Sequence, residues 1–169
     1  MSTTLFTVAD DKKSLVVERT FSAPKTKVWQ AWTTADILKE WFSPKGWETK
    51  VVAFDFTEGG AWEYTMKCVD ETQGEWFGVE SPGKSIYSNI LPEDSFENTD
   101  YFTDGQGTVN QEFPVSRSLI VFVENEDKTT LVTSTNSYDT PEDLKKVLEM
   151  GMKEGLSQSW DKLAELMEK

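Results

Sequence analysis

Between Ser14 and Phe21 the chain alternates. Leu15, Val17 and Phe21 fall on one side and Glu18 and Thr20 on the other, the two-residue period of a strand with one buried face. Pro24 then opens a short helix carrying Val28, Trp29 and Trp32, and Thr34 stands where it can cap a second one with Ile37, Leu38, Trp41 and Phe42. Ser43-Pro44-Lys45-Gly46 stops that helix, and a series of strands follows. Residues 47–56 lead into Glu58-Gly59-Gly60, a tight hairpin signal. Residues 61–69 alternate cleanly, with Trp62, Tyr64, Met66 and Cys68 facing one way and Glu63, Thr65 and Lys67 the other. Phe54 and Phe56 share the aromatic face in a regular hairpin. A stretch rich in Gly, Pro and acids, 70–83, carries Trp76 and Phe77. Beyond it, 84–91 and 95–103 read as strands across Pro92-Glu93-Asp94. A polar loop (104–114) precedes two last strands, at about 117–124 and 129–138.

From Thr140 the period changes to that of a helix. Thr140 caps it, Pro141 fits its first position, and Asp143 sits where a capping box has an acid. Leu144, Val147, Leu148, Met152, Leu156, Leu163 and Leu166 form one apolar face, which predicts a single long helix to the C-terminus. Gly151, Gly155 and Ser159 fall inside that apolar arc. A glycine inside a helix costs about 1 kcal/mol relative to alanine, so two of them need a compensating reason. Either another element packs very close to the helix, or the helix roofs a space that side chains leave empty. Above a strand bearing Trp62, Tyr64 and Met66, the second reading places a ligand pocket between sheet and helix, with Gly151 and Gly155 in its roof.

The order of strand, two short helices, six strands and long helix predicts an α+β fold. It would be a curved seven-stranded antiparallel sheet gripping the C-terminal helix, one domain over residues 13–169 behind a loose polar leader, 1–12.

Composition narrows the chemistry. The formal charge of -13 over 169 residues argues against nucleic acid and anionic membrane surfaces as partners. The absence of histidine removes Ser-His-Asp and Cys-His arrangements and every histidine-containing zinc site. One cysteine, Cys68, allows no intrachain disulfide and reads as a small buried hydrophobe. No stretch approaches the ~20 apolar residues of a membrane span, and the N-terminus lacks a signal-peptide pattern, so a cytoplasmic setting is expected. No cofactor, no metal site and no catalytic constellation is expected. Seven Trp, ten Phe and four Tyr supply aromatic surface for a core or a pocket wall.

Four stretches together resemble one family: FSAPKTKVWQAWTTADILKEWFSP (21–44), FDFTEGGAWEYTM (54–66), YSNILPEDSFENTDYF (87–102) and GMKEGLSQSWDKLAEL (151–166). The family is that of the activator of heat-shock-protein-90 ATPase homologues (AHSA), within the START-like, Bet v 1-like (SRPBCC) superfamily. The third stretch departs from the family pattern at Asn89 and Glu93. The resemblance implies the helix-grip fold, but it carries over no catalytic residue, because fold alone does not fix function.

Three functions follow as expectations. The first is a binding protein for a small, largely apolar molecule, its pocket lined by Phe54, Trp62, Tyr64, Met66, Tyr87 and Phe102. Trp32 and Trp41 would stand at the closed end or the mouth, and Tyr64, Tyr87 and Asn89 would orient the ligand. The second, implied by the resemblance, is a co-chaperone-like module of the stress response, with a chaperone or a second copy of the chain as partner. The third is a cyclase- or hydrolase-like enzyme using a cavity carboxylate or tyrosine. Glu63 has the wrong parity for that role, and the direction of Asp100 is open.

Overall fold

The computed structural model describes residues 3–169. A curved antiparallel sheet of eight strands runs in the order β1-β2-β8-β7-β6-β5-β4-β3. The strands are β1 (Leu5–Val8), β2 (Ser14–Phe21), β3 (Trp47–Phe54), β4 (Ala61–Cys68), β5 (Glu80–Leu91), β6 (Ser95–Phe102), β7 (Ser116–Glu124) and β8 (Thr130–Ser137). Two short helices, α1 (Lys25–Thr33) and α2 (Ala35–Trp41), separate β2 from β3, and a 3-10 helix (Glu71–Trp76) precedes β5.

The sheet therefore has one strand more than expected. The addition is β1, inside the segment read as a loose leader. Its Leu5 pairs with Glu18 and its Val8 with Leu15, and Asp10 to Lys13 form the turn, where Ala9 N donates to Ser14 O at 2.9 Å and Lys12 takes φ 60°. Four residues give too short an alternation to register as a strand. The gain comes from pairing with β2, whose inward face (Leu15, Val17, Arg19, Phe21) is buried.

The C-terminal segment departs from expectation too. It is two helices, α3 (Pro141–Glu149) and α4 (Met152–Met167), broken at Met150 and Gly151. The start is as read from the sequence: Asp143 N donates to Thr140 Oγ1 at 3.1 Å and Pro141 occupies the first turn. Gly151 has φ 88° and ψ 24°, the left-handed conformation that ends a helix and that a Cβ disfavours. The reason for this glycine is a change of direction: a Cβ there would meet only the Glu154 carboxylate, at 3.8 Å.

Gly155 has a different reason. Inside α4, its missing Cβ would lie 3.4 Å from Pro44 Cγ, so the helix packs closely on the α2–β3 connection. Lys162, two turns on, fastens the same contact. Its Nζ donates to Ser43 Oγ (2.9 Å), Pro44 O (3.1 Å) and Trp47 O (3.3 Å), and burial lowers its pKa. The two positions should therefore respond oppositely to alanine. Gly151→Ala is expected to cost about 1 kcal/mol because of its backbone conformation. Gly155→Ala is expected to be neutral or to stabilise by up to ~1 kcal/mol, since a methyl group fits and helix propensity improves. Denaturant unfolding of the two variants checks this.

The core lies between the concave face of the sheet, α1, α2 and α4. An aromatic chain runs through it: Trp32 meets Trp41 (4.7 Å between centroids), Phe122 (5.3 Å) and Trp160 (5.8 Å), and Trp29 meets Phe96 and Phe122. Trp41 is buried, and its Nε1 donates to Ala31 O at 3.0 Å. Cys68 is buried and unpaired.

Candidate functional site

Strand pairing dictates what faces the inside of the curve. Trp62 on β4 stands opposite Ser85 on β5, Ser85 opposite Asp100 on β6, and Asp100 opposite Ser116 on β7. The neighbouring inward row joins Tyr87, Asn98, Ser118 and Asn136 across β5 to β8. Since side chains two apart share a face, both rows point to the same side of the sheet. That side holds a cavity of about 250 Å³ beneath Val147, Met152, Leu156 and Trp160 of the C-terminal helices.

The lining is mainly apolar and aromatic, with one polar region. Trp32, Trp41, Trp62, Tyr64, Tyr87 and Phe102, expected from the sequence as pocket residues, all line the cavity, joined by Phe42 and Phe96. The Phe42 ring stands edge-on to Trp62 (4.6 Å) and Tyr64 (5.3 Å). Five expected residues lie elsewhere. Phe54 backs the wall, 6.5 Å from Trp62 and 6.3 Å from Tyr87. Met66 shares the parity of Trp62 but sits farther along β4, paired with Thr49 and Ser81, beyond the lining. Asn89 is exposed in a β-bulge at φ 49°, where it donates to Glu97 and its backbone N–H donates to Glu58. Gly151 is the kink and Gly155 the contact with Pro44. The empty volume is thus not made by glycines in the roof. Small polar side chains on the sheet (Ser85, Ser116, Ser118, Ser134) leave it.

Asp100 is the one carboxylate in the lining, and no lysine or arginine accompanies it among the described residues. Its Oδ1 accepts from Ser85 Oγ and, at 2.8 Å, from Asn98 Nδ2. Its Oδ2 lies 3.4 Å from Ser116 Oγ and 3.5 Å from Ser118 Oγ. Burial raises the Asp100 pKa above the ordinary carboxylate range, and these four hydrogen-bonding neighbours oppose that rise. Burial, and then the Asp100 charge, also push up the phenols of Tyr64 and Tyr87, and that of Tyr138 to about 12. The Tyr138 hydroxyl lies 3.9 Å from Met152 S. The polar region could have been read from repeated small-polar pairs at alternate positions (Ser116 and Ser118, Ser134 and Asn136, Asn98 and Asp100), a signal that strand alternation alone does not assign to a face.

Tyr64 depends on its neighbour across the ladder. Gly83 pairs with it, and a Cβ at Gly83 would collide with the Tyr64 phenol. Gly83→Ala is therefore expected to drive the Tyr64 ring into the cavity, costing about 1 kcal/mol of stability as overpacking partly relieved by the empty space. A crystal structure of the variant would show the moved ring.

The β6–β7 loop contributes Pro114 to the lining, with Phe102 and Met152. Phe113 of that loop packs on Phe102 (4.9 Å), while Lys146 of α3 donates to Glu112 O at 2.6 Å and lies over the Phe113 ring. Trp76 and Phe77 are exposed on the 3-10 segment and take no part in the lining. Among the described residues no cluster of three or more acids or cysteines could hold a metal ion, and no helix is long and apolar enough to cross a membrane.

Comparison with known proteins agrees with this fold. The family model described as activator of Hsp90 ATPase homolog 1-like protein matches residues 22–168. No curated protein matches the chain in sequence. Among solved structures, protein Ms6760 from Mycobacterium smegmatis is similar at 27% identity and a TM-score of 0.86, over 98% of this chain and 96% of that one. A Staphylococcus epidermidis protein is similar at 26% identity and 0.80, over 96% and 93%. The AHSA1 protein from Silicibacter pomeroyi, at 19% identity and 0.68 over 89% and 94%, shares the fold. By the match along its sequence and by its START-like fold, the chain belongs to the family of activator of Hsp90 ATPase homolog 1-like proteins.

Proposed function

We propose that this chain is a binding protein that holds a small, largely apolar molecule between the sheet and the C-terminal helices. The observation that carries the reading is the cavity of about 250 Å³, walled by Trp32, Trp62, Tyr64 and Phe102 and roofed by Met152 and Leu156. A space of that size fits a molecule of one or two rings, at the small end of ligand pockets. Affinity would come from apolar area removed from water, about 25 cal/mol per Å² before the costs of binding. Titration with a panel of aromatic and lipid-like probes tests it. Trp62 lines the space and is 3% exposed, so an occupant should quench tryptophan fluorescence, and Leu156→Trp, which fills the space, should abolish the effect. If no probe binds, the reading fails. A cytoplasmic setting belongs to the same reading, in keeping with one buried, unpaired cysteine.

A second reading is favoured by Asp100. A carboxyl group with a raised pKa in an apolar cavity, facing Tyr64, Tyr87 and Tyr138, is the form a general acid takes in an enzyme of the cyclase or hydrolase type. Turnover of a panel of small aryl esters, lost in Asp100→Asn, would support it. The family description supports a third, a co-chaperone-like module. Co-purification with an Hsp90 chaperone and a change in its ATPase rate on mixing would decide that one.

A further inference from the structure

The polar region of the cavity is not self-contained. An ionised carboxylate has about four acceptor sites. Oδ1 of Asp100 uses two, for Ser85 and Asn98. Oδ2 has only the two distant hydroxyls, and Ser118 has a single hydroxyl proton. That proton goes to Asn136 Oδ1, 2.8 Å away, rather than to Asp100, 3.5 Å away. Asn136 is held in turn: its Nδ2 donates to Leu15 O (3.3 Å) and to Ser134 Oγ (3.2 Å), so its carbonyl oxygen stays turned toward Ser118. This leaves Oδ2 with one long contact, to Ser116 at 3.4 Å. It belongs to the one carboxylate in the lining and is poorly served by the protein.

A second lone group lies in the same inward row. The indole Nε1–H of Trp62 is buried without a hydrogen-bond partner, and Trp62 lines the cavity. Two strand spacings, about 10 Å, separate its backbone from that of Asp100. Buried polar groups in native proteins are satisfied by protein, water or ligand, so the poorly served Oδ2 describes the polar part of what the cavity receives, with the Trp62 indole a second group of the same wall.

We infer that the ligand of this cavity carries a hydrogen-bond donor, a hydroxyl or an amine, which docks on Asp100 Oδ2, and that carboxylate ligands such as fatty acids are rejected. The inference deepens, and rests on, the binding-protein reading. A carboxylate would face the Asp100 charge across an apolar space, with no lysine or arginine in the lining to offset it. A hydroxyl donates to Oδ2 and retains lone pairs with which to accept from another donor. An ammonium would form a charge-assisted bond. The rest of the ligand would lie against the rings of Phe42, Trp62 and Tyr64.

Four probes with one apolar body test this: naphthalene, 2-naphthol, 2-naphthylmethylamine and 2-naphthoate, titrated at neutral pH by tryptophan fluorescence and calorimetry. The naphthol and the amine are expected to bind at least tenfold tighter than naphthalene, and the naphthoate more weakly than naphthalene. In Asp100→Leu the advantage of both donors should vanish while naphthalene still binds. Should that variant not fold, Asp100→Asn keeps the hydrogen-bonded cradle, and the amine should lose at least tenfold there while naphthalene is unchanged. Naphthoate binding as tightly as naphthol, donors no tighter than naphthalene, or donor affinities unchanged in both variants would overturn the inference and leave the binding reading standing. Failure of all four probes, naphthalene included, would overturn both.

Discussion

Replacing Asp161 by alanine is expected to destabilise the protein by about 3 kcal/mol. Asp161 is itself largely exposed, but its partner is not. The Arg19 side chain is 1% exposed and points inward from β2, and Arg19 Nη1 donates to Asp161 Oδ1 at 2.6 Å. The other contacts of this guanidinium are neutral: Thr4 Oγ1 at 3.1 Å and the Phe21 ring at 5.7 Å, with Nε unpaired. An exposed ion pair contributes little, whereas removing one member of a buried pair leaves an uncompensated charge, at a cost of about 3–5 kcal/mol. The lower end applies because Asp161 reaches water. Arg19→Met is expected to cost much less, since an apolar side chain of similar length needs no counter-charge. Urea unfolding of the two variants separates these outcomes. Equal losses in both would mean that the pair acts through packing alone.

Asp100→Asn should shift stability in the opposite direction, by about 1–2 kcal/mol at neutral pH, or a rise of about 4 °C in Tm. Burial holds the Asp100 pKa above its value in the unfolded chain. A carboxyl raised in this way contributes stability that is fully present below the unfolded pKa and is lost as pH rises through the folded one. The neutral amide escapes that loss. The variant should therefore match the wild type in acid and gain on it progressively as pH climbs through the raised pKa. The titratable groups facing Asp100 are Tyr64, Tyr87 and Tyr138, all with raised pKa values, and they stay neutral over that range. A variant less stable than wild type at neutral pH would show that the serines and Asn98 hold the ionised form well. A cavity carboxylate kept at such a cost fits a site retained for function, because stability and function commonly trade against each other at such positions.

Much of this site was legible in the sequence, because β4 is regular. Trp62 and Tyr64 alternate with Glu63 and Thr65, and that parity alone turned them inward. Strand β6 gave no such answer. In Ser95 to Phe102, Asn98 and Asp100 occupy one parity and Glu97 and Thr99 the other, so polarity does not choose a face. The choice comes from pairing Asp100 with Ser85 and Ser116, contacts remote along the chain. Asn89 failed for a local reason, a bulge that takes it out of the alternation. The glycines were legible as a cost but not as a cause. The apolar period runs through the Gly151 kink almost in phase, which hid the break. The close approach at Gly155 depends on Pro44, more than a hundred residues earlier. Strand β1 was lost because four residues carry too little alternation to stand out without the strand beside them.

On the binding-protein reading, the space between the sheet and α4 receives an apolar molecule. Crystals of the wild-type protein soaked with 2-naphthol test this most directly. Density is expected for the ring system against Trp62 and Leu156, with the hydroxyl beside Asp100. Density showing the space filled by the protein's own side chains, with the probe absent or bound only on the surface, would contradict it.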